Sequence, residues 1–249
     1  YEALDMLKDG EKLYKKGIKK FPESGPLYND YGELLWAQNN YEAIKEWEKG
    51  IEADPSYSSN YYNAAKYYYL TTDKVWSILY GETFINMEPL GRNTAEVKDI
   101  LLESYKKLFA EADLELNNKD KSAFVIAFLQ TMNKQSAVAA QGINTETLTM
   151  IRTRFILDWT SGEKNKFPCK LFEYQQQLLQ EGLFDAYNQW IFGSSENLPA
   201  FQNWTVTHKE DYTAFTNFLR GRTYKVPVGQ GYKLTLNMIQ KRLLELVFY

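Results

Sequence analysis

The side chains best suited to covalent or acid–base chemistry are few. The chain has one cysteine, Cys169, and one histidine, His208. A thiolate–imidazole pair needs both at one point in space, and neither lies in a recognisable nucleophile motif. Cys169 follows Pro168 at the start of a helical stretch, where the helix dipole would lower a thiol's pKa. The blander expectation for it is packing as a small apolar side chain. Ser-x-x-Lys occurs twice, at Ser104/Lys107 and Ser161/Lys164, without the companion motifs that give it meaning. Gly229-Gln230-Gly231 lacks the third glycine and the strand–helix setting of a dinucleotide loop. Asp158, ahead of Trp159, reads as a solvated helix end, and the triplet Asn203-Trp204-Thr205 as chance. A single cysteine leaves no intrachain disulfide and no multi-cysteine zinc site. The expectation is a non-enzymatic chain that uses no cofactor or metal.

Composition narrows the partner. The net charge of −3 argues against nucleic acid, because neutralising phosphates takes a clustered positive excess. The densest basic run, Lys12 to Lys20, alternates with apolar residues as a solvated helix face does. No run of about 18 apolar residues is present, so no membrane-spanning helix is expected. Scarce cysteine fits a cytoplasmic protein, and equally an exported one whose signal peptide has been removed. Aromatic residues make up 16% of the chain, and 19 residues are tyrosine, so much of the packing must use amphipathic rings.

The elements that position those rings repeat. Tyr28-x-x-Tyr31-Gly32-x-x-Leu35 aligns with Tyr61-x-x-Ala64-Ala65-x-x-Tyr68, large and small side chains alternating at helical spacing. Each stretch reaches a polar turn, Asn39-Asn40 or Thr72-Asp73. A second helix follows, carrying Ala43, Trp47 and Gly50 in one unit and Ser77, Gly81 and Phe84 in the other. Each unit ends in proline, Pro55 and Pro89, 34 residues apart. Small residues let helices approach closely, rings fill the space between hairpins, and proline ends the second helix because it cannot donate the helical hydrogen bond. A lone helical hairpin cannot bury both faces, so such hairpins stack on a shared core.

This order resembles the tetratricopeptide repeat (TPR), a two-helix unit of about 34 residues. The resemblance covers roughly residues 1–90. Leu13 to Ser24 matches the second half of an earlier unit. Residues 58–91 fit the register without a gap, and residues 25–57 are one residue short between Tyr41 and Ala43. In the later unit large and small are exchanged, with Gly81 where the family has an aromatic and Phe84 where it has a small residue. TPR stacks are peptide-binding scaffolds whose first helices line a concave groove. The resemblance therefore implies a protein or peptide partner, and its groove positions fall on Asn29, Glu33 and Trp36 in one unit and Tyr62, Lys66 and Tyr69 in the next. Some members grip a C-terminal carboxylate with paired lysines at such places. Here Glu33 would repel a carboxylate, and the two-lysine clamp is missing. The groove reads as aromatic and of mixed charge. Trp36, Tyr62 and Tyr69 have two other readings: core packing against the next hairpin, or stacking against a sugar in a small-ligand or glycan-binding module.

Beyond residue 90 the repeat fades into irregular helical segments. Asn93 with Glu96 predicts a capping box ahead of a helix bearing Val97, Ile100, Leu101 and Leu108 on one face. Ser122 to Met132 reads as a buried helix. Leu148, Ile151, Phe155 and Trp159 form a stripe on the next, and Ser161 to Pro168 reads as a loop. A helix follows up to Gly182, then a short one over residues 183–192 ended by Gly193-Ser194-Ser195. Thr207 with Glu210 predicts a second capping box, and residues 224–231 an extended or loop stretch. The last stripe, Leu236, Ile239, Leu243 and Leu246, suits a helix that caps the stack or one that docks in a neighbour's groove to make a dimer. This half resembles the trailing region of bacterial TPR proteins without assigned activity, which supplies no catalytic residues. An all-α protein is expected: TPR-like hairpin repeats over residues 1–90, and an irregular helical C-terminal domain over residues 91–249 packed on that solenoid.

Overall fold

The computed structural model describes residues 2–110, 113–116 and 118–230, with side chains from residue 6 onward. The described residues are helical, with no strand among them. Helix α1 (Glu2–Lys20) is followed by two hairpins: α2 (Gly25–Ala37) with α3 (Ala43–Ala53), and α4 (Ser58–Tyr69) with α5 (Lys74–Met87). α2 packs on α3 and α4 on α5. α3 then meets α4, and α5 meets α6 (Thr94–Leu108), so the hairpins lie side by side in an α–α solenoid. α4 also touches both α2 and α6, which brings these three helices onto one face.

The small residues do what their placement predicts. A Cβ on Gly32 would come within 2.6 Å of Trp47 Cδ1, and one on Gly50 within 2.8 Å of Tyr28 Cβ. Only hydrogen fits where α2 crosses α3 and where α3 meets its neighbours. The rings follow: Tyr31, Trp47, Tyr61, Tyr68 and Phe84 are buried. The turn after α2 closes on Asn39, which takes a left-handed backbone (φ 56°), a conformation asparagine tolerates better than most residues. The amides of Asn39 and Asn40 donate to the carbonyls of Trp36 and Leu35, both at 2.9 Å, and so satisfy two groups the helix end leaves open.

The remaining helices are α7 (Ala123–Asn133), α8 (Ser136–Ala139), α9 (Thr145–Gly162), α10 (Lys170–Gln180) and α11 (Phe184–Asn188). A π-helical turn over Gln189–Gly193 leads into α12 (Ser194–Glu196), then α13 (Leu198–Thr207) and α14 (Lys209–Gly221). α7 and α10 pack on α5, while α12 and the π turn pack on α6. A cluster of Phe124, Phe128, Phe155, Trp159 and Phe172, with ring centroids 5.0–6.5 Å apart, fills the space between α7, α9 and α10. The predicted stripe Leu148, Ile151, Phe155 and Trp159 is buried throughout. No helix among the described residues is long and apolar enough to cross a membrane.

Several local expectations fail. Asn93 starts α6 without a side-chain cap, because Glu96 is drawn away to Tyr62 and Lys66. Thr207 does not cap α14; its hydroxyl donates back to the carbonyls of Asn203 and Trp204, and the helix starts at Lys209. The capping box that does form pairs Asn144 with Thr147 at the start of α9. That helix runs on through Ser161 and Gly162, two residues into the expected loop. Gly193 does not end a helix: the chain stays helical from Phe184 to Glu196. The glycine instead admits Phe201, whose Cδ2 would lie 2.6 Å from an added Cβ. α13 was not expected, although Asn197, which accepts from the Ala200 amide at 3.0 Å, and Pro199 are ordinary start signals. Gly182 does close α10, with φ 71°. The stripe at residues 236–246 lies outside the described residues.

Candidate partner-binding groove

The shared face of α2, α4 and α6 carries a cavity of about 390 Å³. α2 contributes Glu33 and Trp36 to its wall, α4 contributes Asn63, Lys66, Tyr67 and Tyr69, and α6 contributes Glu96 and Ile100. Alternate helices of the stack, α2, α4 and α6, therefore build one site.

Its polar groups form two small networks. Lys66 Nζ lies 2.9 Å from Glu96 Oε1 and donates to Tyr62 Oη at 3.0 Å, and Tyr62 Oη in turn donates to Glu96 Oε2 at 2.6 Å. The Tyr62 hydroxyl, with help from Lys66, holds the Glu96 carboxyl below its usual range. Partial burial opposes the charge on Lys66, but Tyr62 and Glu96 outweigh it and raise the ammonium pKa. In the second network Glu33 Oε1 accepts from Asn29 and from Asn63, each at 3.1 Å, and Asn63 also donates to Asn29 Oδ1 at 2.9 Å. Two carboxylates thus share the cavity with one ammonium, and the site carries a negative excess.

The expected groove residues fall into three groups. Glu33, Trp36, Lys66 and Tyr69 line the cavity. Tyr62 sits at its flank with its ring 5.4 Å from that of Phe84, its hydroxyl engaged by Glu96 and Lys66. Asn29 is buried under the floor, where it orients Glu33 and Asn63 and its carbonyl accepts from Trp47 Nε1 at 3.2 Å. The outward polar position that Asn29 was expected to fill is taken by Asn63. Tyr69 is already engaged as well: Lys107 Nζ lies 3.9 Å from its ring centroid and Lys74 Nζ 5.5 Å.

Tyr41, Asn63, Tyr67, Leu70 and Glu96 were missed. Tyr67-Tyr68-Tyr69 held the signal for one of them. Consecutive helical side chains point about 100° apart, so three rings in a row cannot all face a core. Tyr68 is buried, and its neighbours stand half-buried on either side. Tyr41 and Leu70 are large side chains inside turns, 64% and 68% exposed. Together with Trp36, Asn39, Tyr67 and Thr71 they line a second cavity of about 420 Å³ at the hairpin tips. Trp36, Tyr67 and Leu70 border both cavities, so the two adjoin along the face with these side chains as the ridge between them.

The reactive side chains do not assemble. Cys169 is buried at the start of α10. Burial pushes its thiol up to about 12, outweighing the amides of Phe172 and Leu171, so the expected lowering by the helix dipole does not survive desolvation. His208 is exposed and lies flat on Trp204, with ring centroids 4.5 Å apart. Ser104 is buried against Ser77 at 3.0 Å, and Ser161 donates to the Asp158 carbonyl at 2.9 Å. The Asp158 carboxylate is half-exposed and accepts from Gln135 at 3.3 Å. Among the described residues no cluster of three or more His, Cys, Asp or Glu is placed to hold a metal. Compared with known families, with curated proteins and with solved structures, the chain finds no match in any of the three.

Proposed function

We propose that the chain is a TPR-like, non-enzymatic scaffold that binds a protein or peptide partner along the face of α2, α4 and α6. One observation carries this reading: α2, α4 and α6, alternate helices of the stack, line a single open cavity with half-buried rings and an acidic excess. An extended peptide laid across successive first helices would meet these side chains in turn. Within this reading Glu33, Trp36 and Lys66 contact the partner, Tyr62 and Asn29 position Glu96, Lys66 and Glu33, and Tyr69 forms part of the wall. A glycan reading has thinner support, since Tyr62 and Tyr69 already spend a ring face or hydroxyl on neighbouring side chains.

The experiment is a selection of peptides from a random displayed library on the full chain, followed by titration of the selected peptides. Glu33→Lys, a charge reversal at an exposed position, should weaken them by about tenfold or more, near 1.4 kcal/mol. Its melting temperature should stay within about 2 °C of the parent, as expected of a surface substitution. Selected peptides that bind the variant as well as the parent would remove the groove from the reading.

A further inference from the structure

Trp36, Tyr41 and Tyr67 come from three elements, the last turn of α2, the α2–α3 turn and α4, and meet at the second cavity. The ring of Tyr41 stands at 70° to the Trp36 indole with centroids 5.8 Å apart, and that of Tyr67 at 68° with centroids 6.0 Å apart. Rings set at steep angles around a space of about 420 Å³ enclose a volume; they do not form a flat platform. Asn39, Leu70 and Thr71 complete the wall, and no lysine or arginine contributes to it. The core gives no reason for this exposure: Tyr41 and Leu70 are mostly in solvent.

The charges around this wall lean acidic. An aromatic ring presents a negative face, which attracts a cation and is indifferent or repulsive to an anion. Besides burial, Glu48, Glu42 and Asp73 each push the Tyr67 hydroxyl pKa upward, so the field at this wall is negative. Two cations lie close by and both are engaged: Lys45 is tied to Glu42 at 2.5 Å, and Lys74 donates to the carbonyls of Thr71 and Tyr69. Across the Trp36–Tyr67–Leu70 ridge the adjoining cavity holds Glu33 and Glu96 against Lys66 alone. The protein already uses this chemistry two residues along α4, where the Lys107 ammonium sits over Tyr69.

We propose that the Trp36–Tyr41–Tyr67 cavity is an anchor pocket for an organic cation carried by the partner peptide, the guanidinium of an arginine or the alkylated ammonium of a lysine. The assignment rests on the peptide-binding reading of the groove and names the side chain that would enter it. Aromatic rings from three elements supply the attraction, the acidic surround disfavours acidic competitors, and the Asn39 side chain offers an oxygen acceptor to a guanidinium.

The test uses the full chain with its tryptophan indoles ¹⁵N-labelled and the Trp36 signal assigned through Trp36→Phe. Four probes are titrated: the blocked tripeptides Gly-Arg-Gly, Gly-citrulline-Gly and Gly-trimethyllysine-Gly, and methyl α-glucoside. Citrulline keeps the shape of arginine and removes its charge. At least one cationic tripeptide should shift the Trp36 indole saturably and bind about tenfold or more tighter than the citrulline peptide. The tighter of the two cations then separates guanidinium from ammonium. Tyr41→Leu, which keeps apolar bulk at an exposed site, should weaken the cation about fivefold, while Tyr41→Phe retains it. If Tyr41→Leu misfolds, the arginine–citrulline comparison on the parent chain decides alone. Equal binding of citrulline, preferential binding of the glucoside, or no response of Trp36 to either cation would overturn the assignment. Should selected peptides still depend on Glu33 while the cation preference is absent, only the anchor fails. Should the cations bind while selected peptides ignore Glu33, the groove reading fails and the pocket stands.

Discussion

Two triads of tyrosine, glutamate and a cation, one in the groove and one in the core, differ mainly in water. In the groove Tyr62 donates to Glu96, which pairs with Lys66; the two charged side chains are 46% and 43% exposed. In the core Tyr187 donates to Glu82 at 2.8 Å, and Glu82 pairs with Arg152; both charged side chains are 1% exposed. Gln175 adds a bond to Glu82 at 2.6 Å, Asn188 accepts from Arg152, and Asn86 donates to Tyr187 at 2.7 Å. Four rings surround the guanidinium, with centroids 5.1–6.0 Å away. Exposed charges are screened and can exchange partners at little cost. Buried ones have lost their hydration and depend on each other and on the few polar side chains packed around them. The groove triad can therefore exchange partners at little cost. The core triad locks α5 to α9, α10 and α11, and with them the stack to the C-terminal half.

The largest expected effect comes from breaking the core pair on one side. Arg152→Met leaves Glu82 buried and unpaired, and should cost about 3–5 kcal/mol of unfolding free energy in urea titrations. Adding Glu82→Leu should recover much of that loss, because no lone charge then remains; a double variant as unstable as the two losses summed would contradict this account.

A packing change under the groove should cost less. Gly32→Ala drives a methyl group into Trp47, and overpacking of this kind costs about 1–3 kcal/mol, set against a helix-propensity gain of about 1 kcal/mol. The peptide groove should loosen in step, since Trp47 supports Trp36 with ring centroids 6.0 Å apart. A net gain of about 1 kcal/mol, the full propensity benefit with no packing cost, would mean that the two helices can separate freely.

Lys98 lies between the two extremes. Its ammonium sits 3.8 Å from the Trp190 ring centroid, and among the described residues no carboxylate pairs with it. Burial lowers its pKa to about 7. The unfolded chain keeps that proton up to about pH 10, so between pH 7 and pH 10 it binds more protons than the folded chain, and stability rises with pH across that window. Lys74, lowered to about 8 by burial and by Lys107, adds a slope of the same sign. Lys98→Met should flatten the rise seen in denaturation midpoints between pH 7 and pH 9.5 and leave the Lys74 share in place. An identical slope in variant and parent would place Lys98 in water.

The smallest effect belongs to the groove. Lys66→Met removes an exposed pair and should change stability by about 0–1 kcal/mol, while altering the binding of selected peptides. A loss comparable to that of Arg152→Met would erase the contrast between the two triads.

Much of the stack was legible because its signals are local. Gly32, Gly50, Trp47 and Tyr61 announce close helix crossings, and Asn39-Asn40 announces the turn between helices. The register placed Glu33, Trp36, Lys66 and Tyr69 where the cavity wall lies, but it assigned Asn29 to the groove as well, and the structure buries Asn29 beneath the floor. The capping boxes failed for the opposite reason. A glutamate three residues past an asparagine is a local signal, but Glu96 found stronger partners on α4. Tyr41 escaped notice because a ring in a turn has no periodicity to read.

The order of large, small and turn-forming residues determined by itself that the first part of the chain makes helical hairpins and that these must stack, since helix period, ring volume and glycine's missing Cβ act within a few turns of one another. Only the tertiary structure decided that Glu82 meets Arg152, 70 residues away, and that Trp36, Tyr41 and Tyr67 enclose one space. A charge or a ring looks the same in sequence whether it ends in water or in the core. What separates the two fates is the loss of hydration, which depends on every neighbour the fold brings up and is written at no single position.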